Sequence, residues 1–257
     1  MNNILKEGLD IQKIYNVAAR YYRAALKRNN SKEFCDFIQN YGFDENTIKR
    51  FNLGYATNET NALYQLLISL DFSTDEIILS GLVKKDNQGN YYDTFRNRLI
   101  IPIVSVDGGF VSFCGRSINN SNPKYIQLSD TTLCKKNEQV FGLNIAKNNN
   151  SKLILCEGFI DVIKMHQVGF TNAISICGFE MSKTQLALIN KYADQVLLLY
   201  DNDEFGQKMQ KQVAQLFDKY SIKYTTPHFD NFDYNDSVDM ILTLLNKGHK
   251  KDEILWL

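Results

Sequence analysis

From Leu153 to Cys156, and again from Val196 to Tyr200, the chain runs apolar without a break, and each run stops at carboxylates: Glu157 after the first, Asp201 and Asp203 after the second. Short unbroken apolar runs read as strands buried on both faces of a parallel sheet, since half-exposed strands alternate. Around them the pattern changes to helical spacing. The expected order is strand 153–156, helix 160–168, strand 173–176, helix 182–192, strand 195–200, helix 204–220, strand 223–226 and helix 237–246. Alternation of this kind predicts a parallel sheet covered by helices.

The first half has a different rhythm. Residues 11–27 read as an amphipathic helix, and 31–40 as a second that Ser31 can cap; shorter helices are expected over 44–51, opened by Asp44, and over 73–80. After Asp86-Asn87-Gln88-Gly89-Asn90 the signals change to strands, over 98–106 and 110–114, joined by the turn Asp107-Gly108-Gly109. The polar run Ala146-Lys147-Asn148-Asn149-Asn150-Ser151 separates the two rhythms. The expected organisation is therefore an α+β subdomain over 1–150 and a parallel-sheet α/β domain over 151–240. A helical segment over 241–257 follows, its end docking Ile254, Trp256 and Leu257 on the core. The fold class is α/β.

Composition narrows the function classes. With 257 residues, 44% of them hydrophobic, the chain can bury a substantial core. No apolar run approaches the roughly 18 residues of a membrane span, and the N-terminus lacks a basic-then-apolar leader, so a cytoplasmic protein without a membrane partner is expected. The five scattered cysteines include no Cys-x-x-Cys pair, and with only three histidines they argue for buried free thiols and against zinc in this chain. The histidines, His166, His228 and His249, form no pattern of their own. The net charge is zero, but it is unevenly spread: residues 1–150 hold 18 Lys and Arg against 15 Asp and Glu, residues 151–257 hold 11 against 14, and all seven arginines lie between Arg20 and Arg116. Anion binding and cation binding are thus expected on different domains.

In a parallel sheet the C-terminal strand edge is the functional one, so Glu157, Asp161, Asp201 and Asp203 would gather there. Asp201 and Asp203 straddle one residue and can converge on one ion; carboxylates this close repel unless a hard cation such as Mg²⁺ sits between them. Gly158 lets the chain turn so that Asp161 comes back toward the same edge. Asp233, Asn235 and Asp236 form a third acidic group after the last strand. Helix capping would account for such acids singly, but less well for Glu157, Asp201 and Asp203 together.

Glu157-Gly158-x-x-Asp161 and Asp201-x-Asp203-x-x-Gly206, in their strand contexts, resemble the TOPRIM domain shared by DnaG-type primases, topoisomerases and some nucleases. Asp233-x-Asn235-Asp236 is similar to the third acidic motif of phage and bacterial primases, with Phe232 where Lys is common. Upstream, Phe95-Arg96-Asn97-Arg98, Phe113-Cys114-Gly115-Arg116, Pro123-Lys124-Tyr125 and Phe141-Gly142-Leu143 resemble, in order and spacing, the RNA-polymerase subdomain of DnaG-type primases. Tyr41-Gly42-Phe43 and the segment 48–55 are similar to what precedes it. The likeness spans about residues 10–240.

The resemblance implies a primase catalytic core: template-directed synthesis of short RNA primers on single-stranded DNA, by nucleotidyl transfer with Mg²⁺ or Mn²⁺. It implies Glu157, Asp201 and Asp203 as catalytic residues, these three with Asp233, Asn235 and Asp236 as metal carriers, and Glu157 as general base or additional metal carboxylate. It also implies that Arg96, Arg98, Arg116, Lys124, Tyr125 and Lys136 contact template or nucleoside triphosphate, Arg supplying bidentate phosphate contacts and Lys a point charge. Lys135 extends the same surface. Other partners so implied are a replicative helicase and a zinc-binding module acting in trans, because the chain begins after the place where that module would lie. On that reading the chain is a fragment, a split gene product or a minimal primase. The alternatives are a TOPRIM nuclease and a non-catalytic nucleic-acid-binding remnant.

Overall fold

The computed structural model describes residues 2–29, 31–119, 121–148, 151–176, 178–227, 236–247 and 250–251. The chain forms two compact units, Met1–Lys136 and Asn137–Leu257.

The first unit opens with α1 (Asn2–Arg28), α2 (Lys32–Tyr41) and α3 (Glu45–Arg50), followed by β1 (Gly54–Ala56), α4 (Ala62–Ser69) and α5 (Thr74–Leu79). The strands β2 (Val83–Lys85), β3 (Tyr91–Asp93), β4 (Arg98–Val104), β5 (Phe110–Ser117) and β6 (Tyr125–Gln127) complete it. Ile11, Ile14, Tyr15, Ala18 and Tyr22 recur at helical spacing on α1 and are buried. They pack on the antiparallel sheet β1-β4-β5-β6, where Phe113 meets the rings of Tyr15 and Tyr22 edge to face at 5.3 and 6.0 Å. A Cβ at Gly54 would lie 2.5 Å from that of Tyr22, so glycine is what lets α1 cross β1 this closely. Asp44 caps α3 by accepting from the Thr47 N–H, and Ser73 with Glu76 forms a reciprocal capping box on α5. Ser31 does stand at the N-cap of α2, but its side chain makes no capping bond. The helix α4 was not expected: its cap comes from β3, where Asp93 accepts from the Leu63 and Tyr64 N–H groups at 2.8 and 3.0 Å.

The second unit contains α6 (Leu143–Ala146), β7 (Lys152–Cys156), α7 (Phe159–Gln167), β8 (Ala173–Ile174), α8 (Lys183–Tyr192), β9 (Gln195–Leu199), α9 (Glu204–Lys219), β10 (Tyr224–Thr225) and α10 (Ser237–Asn246). Its sheet has the order β10-β9-β7-β8, with every pair parallel. Leu153–Cys156 and Val196–Leu199 are buried without alternation, as strands covered on both faces require. The α/β class is as expected. The compact units part at Lys136, earlier than the polar run at 146–151, because residues 141–146 pack on the parallel sheet. Phe141 and Ser175 exchange backbone hydrogen bonds of 2.8 and 3.0 Å, and Leu143 is fully buried. β8 stops at Ile174, short of the expected 176, and Ser175 pairs with Phe141. The docking expected of Ile254, Trp256 and Leu257 falls outside the described residues.

Candidate active site

The register of the parallel sheet brings the acids together. Cys156 pairs with Leu199, so β7 and β9 end level and Glu157 and Tyr200 leave the sheet side by side. Asp161 reaches back from the first turn of α7 and accepts from the Gly158 N–H at 2.8 Å. Asp203 caps α9, accepting from the Gly206 N–H at 2.7 Å. Gly206 itself lies against the backbone of Asp201, where a Cβ would come within 2.2 Å of the carbonyl oxygen. The glycine of Asp-x-Asp-x-x-Gly is therefore a steric requirement for holding Asp201 beside α9. Asp236 caps α10 through the Val238 and Asp239 N–H groups. Ser237 ties that helix to the end of β9: its N–H donates to Asp201 Oδ1 at 3.2 Å and its hydroxyl to the Tyr200 carbonyl at 2.5 Å. The Ser175 hydroxyl donates to the Glu157 carbonyl at 2.9 Å.

These carboxylates act on one another as like charges. Asp201 is pushed up to about 7, first by burial and then by Asp161, Asp236 and Glu157, against the opposing pull of the Ser237 N–H. Glu157 is raised by burial and by Asp161, Asp203 and Asp236, and Asp161 is raised chiefly by burial. The Glu157 Oε2 atom is buried without a hydrogen-bond partner. An all-oxygen donor set under mutual repulsion, with one orphaned carboxylate oxygen, fits a hard divalent cation. Among the described residues no group of three or more His, Cys, Asp or Glu side chains is already disposed to hold a metal ion. Asp233 and Asn235, expected as further donors, lie outside the described residues.

In the first unit Arg96, Lys124, Lys135 and Lys136 are exposed and Tyr125 is half-buried. Arg98 and Arg116, expected to contact template or triphosphate, are each only 5% exposed. Arg98 shares a sheet face with Ile100, Gly115 and Phe113, and donates to the carbonyls of Gly115 and Lys124 at 3.1 and 3.4 Å. A Cβ at Gly115 would sit 2.9 Å from the Arg98 Cδ, so glycine makes room for this arginine. Through these bonds, both from one terminal nitrogen, Arg98 ties the Lys124 segment to β5. Arg116 points to the other face, paired across strands with Tyr125. It donates to the Tyr41 hydroxyl at 2.6 Å and lies over the Tyr125 ring at 4.8 Å. Its Nε and one terminal nitrogen are buried without partners, which suits it to an anion.

Sequence reasoning missed the positioning roles of Ser237, Ser175 and Tyr41. The Asp236-Ser237 pair opening a helix was a legible signal; Ser175 and Tyr41 act across long sequence separations that no local pattern marks. His166 is buried with its ring against the Ala173 carbonyl, a packing role. Of the described cysteines, Cys35 is exposed and Cys114, Cys134 and Cys156 are buried. No helix among the described residues is long and apolar enough to cross a membrane.

Comparison with known proteins agrees with this geometry. Residues 21–147 match the family model for the DNA primase catalytic core, N-terminal domain, and residues 154–238 match the Toprim-like family. A DNA primase of Clostridium acetobutylicum is 35% identical over 207 residues, which cover 79% of this chain and 34% of that protein. The chain thus spans about a third of the length of the curated relatives it matches. The zinc-binding and RNA polymerase domains of the Aquifex aeolicus primase superpose with a TM-score of 0.85 at 26% identity, covering 94% of this chain and 59% of that one. A DnaG primase catalytic domain bound to single-stranded DNA shares the fold with a TM-score of 0.81 at 22% identity, over 96% of this chain and 80% of that one. The chain belongs to the DnaG-type primase family, as a catalytic core whose second unit is a TOPRIM domain.

Proposed function

We propose that this chain is a primase-type RNA polymerase, a nucleotidyltransferase that builds short RNA primers on single-stranded DNA from nucleoside triphosphates. The observation that carries the reading is the set of mutually repelling carboxylates at the level ends of β7 and β9, with the Glu157 Oε2 atom left unpartnered. Asp201, Asp203 and Glu157, with Asp233, Asn235 and Asp236, would hold Mg²⁺ or Mn²⁺. When bound, such ions activate the attacking 3′-hydroxyl and neutralise charge on the leaving pyrophosphate. Glu157 has a free oxygen and a raised proton affinity, which suit it to take the hydroxyl proton as general base or to serve as a further metal carboxylate. Arg116, buried with two guanidinium nitrogens unpaired, adds positive potential, while Arg96, Lys124 and Lys136 supply exposed positive charge along the template. Tyr125 places its ring under the Arg116 guanidinium. Arg98 acts through Lys124. The fold shared with a catalytic domain bound to single-stranded DNA supports that template, and the zinc-binding domain of the Aquifex protein supports a zinc-binding module as a partner. A replicative helicase is the remaining proposed partner.

The test is primer synthesis on single-stranded templates with labelled nucleotides and Mg²⁺ or Mn²⁺, with and without a zinc module in trans. Products are expected, and Asp201→Ala should abolish them with the melting temperature kept. Nicking of duplex DNA in place of synthesis would turn the reading to a nuclease. DNA binding without products under every condition would turn it to a non-catalytic remnant.

A further inference from the structure

Two large aromatic side chains stand in solvent on the second unit: Phe179, 73% exposed, and Phe205, 43% exposed. Their rings meet edge to face at 5.6 Å. Phe205 is followed along α9 by Lys208, Gln212, Gln215 and Lys219, all exposed, at steps of 3, 4, 3 and 4 residues. Such spacing makes one straight stripe on the helix, about 21 Å long at 1.5 Å per residue. The buried stripe of the same helix is Gly206, Met209, Val213 and Phe217. Beside the exposed stripe lies a groove of about 380 Å³, with Met181, Val213 and Leu216 as its apolar lining and Phe179, Gln212 and Lys219 among its polar and aromatic rim. That volume falls at the lower end of sites that take small organic rings.

The mixture of groups selects the occupant. Protein interfaces are depleted of lysine at their centre, whereas here lysines and amides are interleaved with two isolated aromatic rings. Lys208 makes no ion pair among the described residues. The stripe carries two lysines and no carboxylate in a half of the chain where acids outnumber bases 14 to 11, although Glu180 also lines the groove. Exposed rings offer faces for stacking, lysines meet phosphates, and glutamine amides can both donate to and accept from base edges. A duplex hides its base faces; a single strand presents them.

We propose that the α9 stripe and its groove bind single-stranded DNA, with a base stacked on Phe179 and Phe205 and phosphates on Lys208 and Lys219. The proposal rests on the single-stranded-DNA reading above and adds a contact made by residues other than Arg96, Arg116, Lys124 and Lys136, one that requires no metal.

The experiment measures binding of a fluorescent oligodeoxynucleotide to the full chain by anisotropy, in chelator, across a salt series. Phe179→Ala with Phe205→Ala should lower affinity about fivefold or more, and Phe179→Trp should retain it. Lys208→Ala and Lys219→Ala should each flatten the slope of log affinity against log salt by about 0.7. All four positions are exposed, so unchanged melting temperatures are expected to accompany these losses. Wild-type affinity and slope in these variants overturn the proposal, as does a wild-type chain that binds no single strand. Self-association that the double phenylalanine variant loses, with DNA affinity unchanged, also overturns it by giving the stripe to a second copy. The primase reading is judged separately, by primer synthesis in the wild type and its loss in Asp201→Ala, so the two can fail independently.

Discussion

A single hydrogen atom at Gly206 decides where Asp201 stands. Alanine is otherwise the better helix former by about 1 kcal/mol, yet its Cβ here would lie 2.2 Å from the Asp201 carbonyl oxygen. Gly206→Ala should therefore lower the melting temperature and cut primer synthesis at least tenfold, read by thermal melting and the template assay on the same preparation. Asp93, in the first unit, shows a comparable dependence. Burial pushes its carboxyl up to about 6, while the unfolded value is near 3.9. Between these values the folded chain holds more protons than the unfolded one, so the contribution of Asp93 to stability is largest near pH 4 and declines as the pH rises through 6. Asp93→Ala strands two helix N–H groups at a cost of about 1–3 kcal/mol. Denaturant titrations should show the gap between wild type and variant narrowing from pH 4 to pH 7; a gap that widens would refute the assignment.

Helices and strands differ in how much of them local sequence reveals. The parallel unit was legible almost element by element, because β7 and β9 are continuous apolar runs and Asp203 and Asp236 announce helix starts. In the first unit α4 escaped notice, since its cap is Asp93 on a distant strand. The three-residue strands β1 and β6 are likewise set by pairing with longer neighbours and carry no pattern of their own. The acids were legible for the same reason as their strands. The burial of Arg98 and Arg116 was not, because it depends on cross-strand neighbours: Gly115 makes space for one, and Tyr41 with Tyr125 encloses the other. Ser237 joins α10 to β9, and its substitution tests that joint. Ser237→Ala removes the hydroxyl bond to the Tyr200 carbonyl and should cost about 1 kcal/mol in stability. Because the Ser237 N–H that donates to Asp201 is kept in this variant, titration of Mg²⁺ or Mn²⁺ followed by melting temperature should show metal affinity weakened by less than about tenfold.

Across the whole chain, the carboxylates proposed to hold metal lie on the second compact unit. The proposed DNA contacts are the basic residues of the first unit and the α9 stripe of the second, which carries no carboxylate, and this predicts how activity comes apart. Chelation should abolish primer synthesis while leaving affinity for single-stranded DNA within about twofold, because the proposed DNA contacts are lysines, arginines and aromatic rings. Lys124→Ala should do the reverse in part, weakening DNA binding and flattening its salt dependence by about 0.7 while sparing metal-induced stabilisation. Anisotropy and thermal melting, run side by side, separate the two. The level ends of β7 and β9 carry a further consequence for variation in this chain. Side chains in a strand alternate, so inserting or deleting one residue between Gln195 and Leu199 would turn the strand end over and carry Asp201 off the edge, even with every acid still present in the sequence. Among natural and engineered variants, length should therefore be invariant within that strand and free to drift in the exposed turn at Asp86–Asn90; at the heart of this protein, counting matters as much as spelling.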